Sequence, residues 1–143
     1  MKEFGDYMAL IALIEKNMGK PWRAGANGPD EYDCWGWAQT LQREGFGREI
    51  ATIAEPPTNP RQLIDFVRSH PARKQWREVV EPVHGGLVEL AHNNRPFHIG
   101  VYLDIDGGGI CHAAPGAGVT YDTILALQAA GWRRFVFHEW NGN

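Results

Sequence analysis

Over residues 4–18 the apolar side chains Phe4, Met8, Ile11, Leu13, Ile14 and Met18 recur at roughly helical spacing, which predicts an amphipathic helix. Gly19 and then Pro21 mark its exit. Residues 23–33 carry the turn formers Gly25, Asn27, Gly28, Pro29 and Asp30 and read as a loop. A second helix is expected from Asp33 or Cys34 to about Arg43, with Gly45 beyond it and Trp37, Ala38 and Leu41 on its apolar face. Residues 51–59 form a Pro-rich connection, after which Asn59 and Pro60 are suited to open a third helix with Leu63, Ile64 and Val67 on its core face. Beyond Pro71 the period shortens. Residues 79–80, 87–90, 97–103, 109–113 and 133–138 read as strands, and Asp122 is expected to cap a short helix reaching Ala130 and closed by Gly131. Helices first and strands later give an α+β class: N-terminal helices packed on a mostly antiparallel sheet.

Composition narrows this only modestly. At 143 residues, with 43% hydrophobic and 22% charged positions, the chain is expected to form a single globular domain spanning 1–143. No apolar run approaches the ~18 residues of a membrane span. No basic segment followed by an apolar run opens the chain, so synthesis in the cytoplasm without a signal peptide is expected. The net charge of −3, from 14 basic and 17 acidic residues, lacks the basic excess of a nucleic-acid binder. Neither a nucleic-acid partner nor membrane insertion is expected. Two cysteines, Cys34 and Cys111, cannot build a disulfide framework, which points to a reducing compartment.

Chemistry concentrates at Tyr32-Asp33-Cys34-Trp35-Gly36-Trp37. With Asp33 as N-cap, Cys34 falls in the first turn of the helix, where the dipole favours a thiolate and unpaired N–H groups can receive an oxyanion. This predicts a nucleophile of lowered pKa; a buried, inert cysteine is the alternative.

A cysteine nucleophile needs a base and the base an orienting group. His98 lies in an alternating strand, residues 104–109 form a turn, and His112 lies in the returning strand. A three-residue loop at 104–106 pairs the two histidines directly; a five-residue loop shifts the pairing by two and keeps both on one face, with Cβ atoms about 4.5–8 Å apart. Ile99, Val101, Leu103 and Cys111 then share the other face, making Cys111 a core residue. His70 reads as structural at a helix end, His84 and His92 fall in loops, and His138 is expected to be exposed.

Zinc is the competing chemistry for Cys34, His98, Cys111 and His112, but neither C-x₂-C, H-x₃-H nor HExxH occurs. Adjacent Cys111 and His112 point to opposite faces and cannot both reach one ion, so no metal is expected. Gly107-Gly108-Gly109 lacks the Lys-Ser/Thr of a phosphate loop and reads as a turn.

Taken in order, Gly19-Lys20-Pro21-Trp22-Arg23-Ala24-Gly25, Tyr32-Asp33-Cys34-Trp35-Gly36, Gly85-Gly86-Leu87-Val88, His98-Ile99-Gly100-Val101-Tyr102-Leu103 and Ile110-Cys111-His112-Ala113 resemble the NlpC-type cysteine peptidases. The resemblance runs from about Lys20 to Ala113 and implies a papain-like core and a cell-wall endopeptidase. It implies Cys34 as nucleophile, His98 as general base and His112 as the polar residue that orients it. Asp33, Trp22 and Trp35 are implied at the substrate pocket; Trp22 stands in for a usual Tyr, Trp35 for a usual Ser, and Gly86 for a frequent Asp. The substrate implied is a peptidoglycan stem peptide cut at a γ-D-glutamyl–diaminopimelate amide, with no cofactor. The Asp-Cys-Trp-Gly form, the compact domain and the missing signal peptide resemble the phage and prophage subgroup, which implies tail-tip partners and a place in the virion tail. A tail-assembly module with little or no peptidase activity is the alternative.

Overall fold

A computed structural model describes residues 2–50, 74–92 and 95–142, with the side chains of 6–50, 74–92 and 98–142. The third helix expected near residue 60 lies outside the described residues. None of the described helices is long and apolar enough to cross a membrane.

Helix α1 spans Lys2–Asn17. Its buried stripe is Leu10, Ile14 and Asn17, whereas Met8 and Met18, expected to face the core, are exposed. The i, i+4, i+7 spacing of the true stripe is rotated slightly from the expected one. Asn17 is buried because its amide has partners: Nδ2 donates to the Leu13 carbonyl at 2.8 Å, and Oδ1 accepts from the Tyr32 hydroxyl at 3.2 Å.

Helix α2 spans Cys34–Thr40 and buries Trp37, Ala38 and Leu41, its expected apolar face. It does not run on regularly to Arg43. The Thr40 hydroxyl donates back to the Gly36 carbonyl at 2.9 Å, and Leu41–Gly45 winds as a wider π-helical turn. Such back-bonding loosens the regular ladder at the end of a helix.

Among the described residues six strands follow: β1 (Trp76–Val79), β2 (Leu87–His92), β3 (Arg95–Leu103), β4 (Gly109–Ala114), β5 (Gly118–Asp122) and β6 (Arg134–Trp140). They form one sheet in the order β1-β6-β2-β3-β4-β5, with every described pairing antiparallel. The α+β class is as expected from the sequence. Strand β1 lies earlier than the 79–80 expected, and β5 was not anticipated at all. Thr123, not Asp122, caps helix α3 (Ile124–Ala129), its hydroxyl accepting from the Ala126 N–H at 3.0 Å.

Strand alternation sorts the core into two layers. Leu87, Ile99, Val101, Leu103, Cys111, Ala113 and Val119 meet α1 and α2. Val88, Leu90 and Ile110 meet α3, Trp132, Phe135 and Phe137 on the other face. Cys111 is sealed in the first layer, where the Trp37 indole donates to its sulfur at 3.3 Å. His138, expected to be exposed, is buried instead, because β6 runs inside the sheet and Glu89 on β2 supplies a carboxylate partner.

Candidate active site

The start of α2 is fixed by Asp33. Its backbone is extended, with φ −90° and ψ 179°, and its carboxylate accepts from the Gly36 N–H at 2.5 Å and the Gly25 N–H at 3.1 Å. One side chain thus caps the helix and ties down the preceding loop. Gly36 is required by that packing: a Cβ there would lie 2.3 Å from the Ala26 carbonyl oxygen. Burial holds the Asp33 carboxyl above the usual carboxylate range, against the lowering effect of these backbone hydrogen bonds.

Cys34 is therefore presented in the first helical turn and is half-buried. The ladder between β3 and β4 consists of the pairs Val101–Cys111, Tyr102–Ile110 and Leu103–Gly109. Beyond this ladder, Cys34 packs against the core layer that holds Ile99, and the backbone N–H groups of Ile99, Trp35 and Cys34 itself act on the thiol. These donors favour the thiolate. Burial and the neighbouring Asp33 charge outweigh them and push the thiol up to about 12. This corrects the lowered pKa expected from the helix dipole: a seven-residue helix supplies less than desolvation removes.

Cys34 thus packs toward the layer that holds Ile99, and the residue before Ile99, His98, meets His112. The β3–β4 loop holds five residues, 104–108, so the shifted register applies and the two histidines are diagonal neighbours on one face. His98 Nε2 lies 2.8 Å from His112 Nδ1. Gly100 opens the room between them: a Cβ there would lie 2.5 Å from Ile110 Cγ2 and 3.1 Å from His112 Cβ. Both imidazoles are buried. Burial, and then the adjacent His112, lowers His98 to about 3. Burial also lowers His112, against the hydrogen bond and charge of Asp122, which raise it. The thiol and both imidazoles thus rest in their neutral forms.

Two neighbours of this pair were not anticipated. Asp122, at the end of β5, places Oδ2 2.8 Å from His112 Nε2. Trp132 stacks on His98, with ring centroids 5.4 Å apart and planes at 23°. Recognising β5 was the missing step: in Gly118-Val119-Thr120-Tyr121-Asp122 the alternation puts Thr120 and Asp122 on the face of His112, and the register pairs His112 with Thr120. No comparable sequence signal marks Trp132, which lies in the turn between α3 and β6.

Of the other expected pocket residues, Trp22 bridges to Tyr32 through its backbone and packs partly buried against the core. Trp35 is only 6% exposed, and its indole N–H has no hydrogen-bond partner. The loop of residues 23–31 lines an open cavity of about 380 Å³ that includes Arg23, Asp30 and Glu31. Among the described residues no group of three His, Cys, Asp or Glu side chains is arranged to hold a metal ion.

An antiparallel sheet with α1 and α2 on one face and α3 on the other, and a thiol at the start of α2, defines a class of fold, and the comparisons agree on it. Residues 19–141 match the NlpC/P60 family, and the chain belongs to that family. Among curated proteins it is similar to the probable endopeptidase p60 of Listeria innocua, with 30% identity over 128 residues, covering 90% of this chain and 23% of that protein. The corresponding protein of Listeria monocytogenes is 28% identical over 127 residues, covering 89% of this chain and 22% of the relative. The chain thus spans less than a quarter of these relatives. Among solved structures, the NlpC/p60 domain of the peptidoglycan hydrolase SagA superposes with a TM-score of 0.55 at 22% identity, covering 90% of this chain and 95% of that one. NlpC2 from Trichomonas vaginalis gives 0.60 at 14% identity, covering 95% and 47%. Both likenesses establish the fold.

Proposed function

We propose that the chain is a cysteine endopeptidase that hydrolyses peptidoglycan stem peptides at a D-glutamyl–diaminopimelate amide. Cys34 is the nucleophile, His98 the general base and His112 its orienting partner. The observation that carries this reading is the 2.8 Å contact between His98 Nε2 and His112 Nδ1, which leaves His98 Nδ1 as the ring nitrogen available to a thiol. The description of the p60 relatives as probable endopeptidases supports the reaction class.

A neutral resting pair makes the first step general-base catalysis. His98 Nδ1 takes the thiol proton as the sulfur adds to the amide carbonyl. The tetrahedral oxyanion is received by the N–H groups of Cys34 and Trp35. His98 returns the proton to the departing amine, leaving a thioester that water hydrolyses, with His98 again as base. Asp33 shapes the pocket by holding the 25–36 segment rather than by offering a free carboxylate. Trp22 contributes from its partly exposed ring, while the buried Trp35 contributes as a wall. The Asp33-Cys34-Trp35-Gly36 form supports a phage or prophage tail setting with tail-tip partners.

The test is digestion of purified peptidoglycan by wild type and Cys34→Ala, with the products read by mass spectrometry. The wild type is expected to release fragments cut after D-glutamate, and Cys34→Ala to release none while keeping its circular dichroism. Cleavage by the variant at the wild-type rate overturns the assignment.

A further inference from the structure

Hydrogen-bond logic around His112 reaches one residue further than the three proposed above. A carboxylate can only accept, so the 2.8 Å contact of Asp122 Oδ2 with His112 Nε2 requires the proton on that nitrogen. A neutral imidazole carries one N–H, so His112 Nδ1 is left as an acceptor. His98 Nε2, 2.8 Å away, must then be the donor, and His98 Nδ1 is left bare. Both ring orientations are further held by packing: His98 is stacked on Trp132, and the His98 and His112 rings meet edge to face at 5.0 Å. Without an acceptor at position 122 the chain of donors runs equally well in reverse. His112 would donate from Nδ1 to His98 Nε2, and His98 would carry its proton on Nδ1, where it cannot accept one from a thiol.

We propose that Asp122 is a positioning residue of the Cys34 site: its carboxylate selects the tautomer of His112 and, through it, the tautomer of His98 that can act as base. The proposal rests on the cysteine-peptidase reading and extends the relay to four residues on three strands and a helix. Asp122 touches no reacting atom. Its side chain keeps 37% of its surface exposed, against 4% for that of His112, so it is anchored in part by solvent and is not a fold-defining core group.

The same arrangement fixes the sign of a pH effect. Protonating His112 puts hydrogens on both of its nitrogens and forces the reversed, inactive direction on His98. Asp122 favours that cation. The other titratable groups around His112 are His98 on β3, neutral in the resting site, and Cys111 next to it on β4, whose thiol faces the opposite layer and is neutral as well. Removing the carboxylate should therefore shift the acid limb of the rate profile to lower pH while lowering the plateau, a combination that mere loosening of the fold does not produce.

The experiment compares wild type, Asp122→Asn, Asp122→Ala, Asp122→Glu and Cys34→Ala on purified peptidoglycan across pH, together with ¹⁵N NMR of the imidazole nitrogens. Asp122→Asn and Asp122→Ala are expected to lose about 10- to 100-fold in kcat with KM nearly unchanged, the range typical of outer partners of an oriented imidazole. Asp122→Glu should recover part of the loss. In the wild type, NMR should find the proton of both His98 and His112 on Nε2; in Asp122→Asn the two tautomers should mix. Wild-type kcat, acid limb and tautomers in Asp122→Asn, with Cys34→Ala inactive, overturn the role of Asp122 alone. Cleavage by Cys34→Ala at the wild-type rate overturns the cysteine reading instead, and the tautomers then decide the role of Asp122 in ordering the relay.

Discussion

Slow alkylation of Cys34 is the sharpest consequence of the geometry, because it runs against the usual expectation for a cysteine at a helix start. Burial and the Asp33 charge put the thiol at about 12. An ordinary cysteine at ~8.5 holds roughly 3% thiolate at pH 7, and a thiol at 12 about 10⁻⁵, a deficit of about 3000-fold. A more basic thiolate is a better nucleophile, and with a Brønsted slope of about 0.4–0.5 it regains roughly 30-fold. The net expectation is iodoacetamide modification of Cys34 about 100-fold slower than that of an exposed peptide cysteine at pH 7, rising about tenfold per pH unit up to pH 9. Peptide mapping by mass spectrometry separates Cys34 from Cys111, which is fully buried and serves as the internal control. A rate that levels off near pH 6–7, or exceeds that of the free peptide at pH 6, would mean a preformed thiolate–imidazolium pair and would refute the neutral resting state.

Stability should depend on pH through the same imidazoles. The folded state holds His98 at about 3, well below its unfolded value near 6.5, so its contribution is complete above ~6.5 and is lost as pH falls toward 3. Between pH 7 and 4.5, wild type should lose about 2–3 kcal/mol more than His98→Gln in urea unfolding, the amount set by two pH units below the unfolded value; equal losses would show that His98 protonates freely in the fold. Gly100→Ala should cost about 1–3 kcal/mol by overpacking, since its methyl would meet Ile110 Cγ2 at 2.5 Å, and should also reduce cleavage by displacing His112; unchanged stability and activity would show that β4 yields without cost. Trp132→Ala should admit water to the ring face of His98 that Trp132 covers, raising its pKa and moving the acid limb upward, read from the pH profile of cleavage; an unmoved limb would make the stack merely structural.

How far the sequence carried this reading differs by element, and the reason is physical. The start of α2 was legible because its determinants are local: an N-cap Asp, a Gly two residues past the cysteine, and an apolar stripe of Trp37, Ala38 and Leu41. The common face of His98 and His112 was legible because strand parity survives either odd loop length, although the register itself required coordinates. Asp122 was misread as a helix cap because Thr123 beside it is chemically able to cap, and the five-residue strand ending at Asp122 is too short to declare its period. His138 was misread because burial of a histidine depends on a partner 49 positions away, Glu89, supplied by a neighbouring strand. The thiol of Cys34 was misread for a related reason. The dipole acting on it is written in the local sequence, but the desolvation that outweighs the dipole comes from β3 and the packed core. Identity and order of the reactive groups are local information, whereas protonation state is set by what the fold brings alongside. That is why Asp122, which motif order does not reveal, is the residue whose replacement most directly tests whether these imidazoles act in one direction.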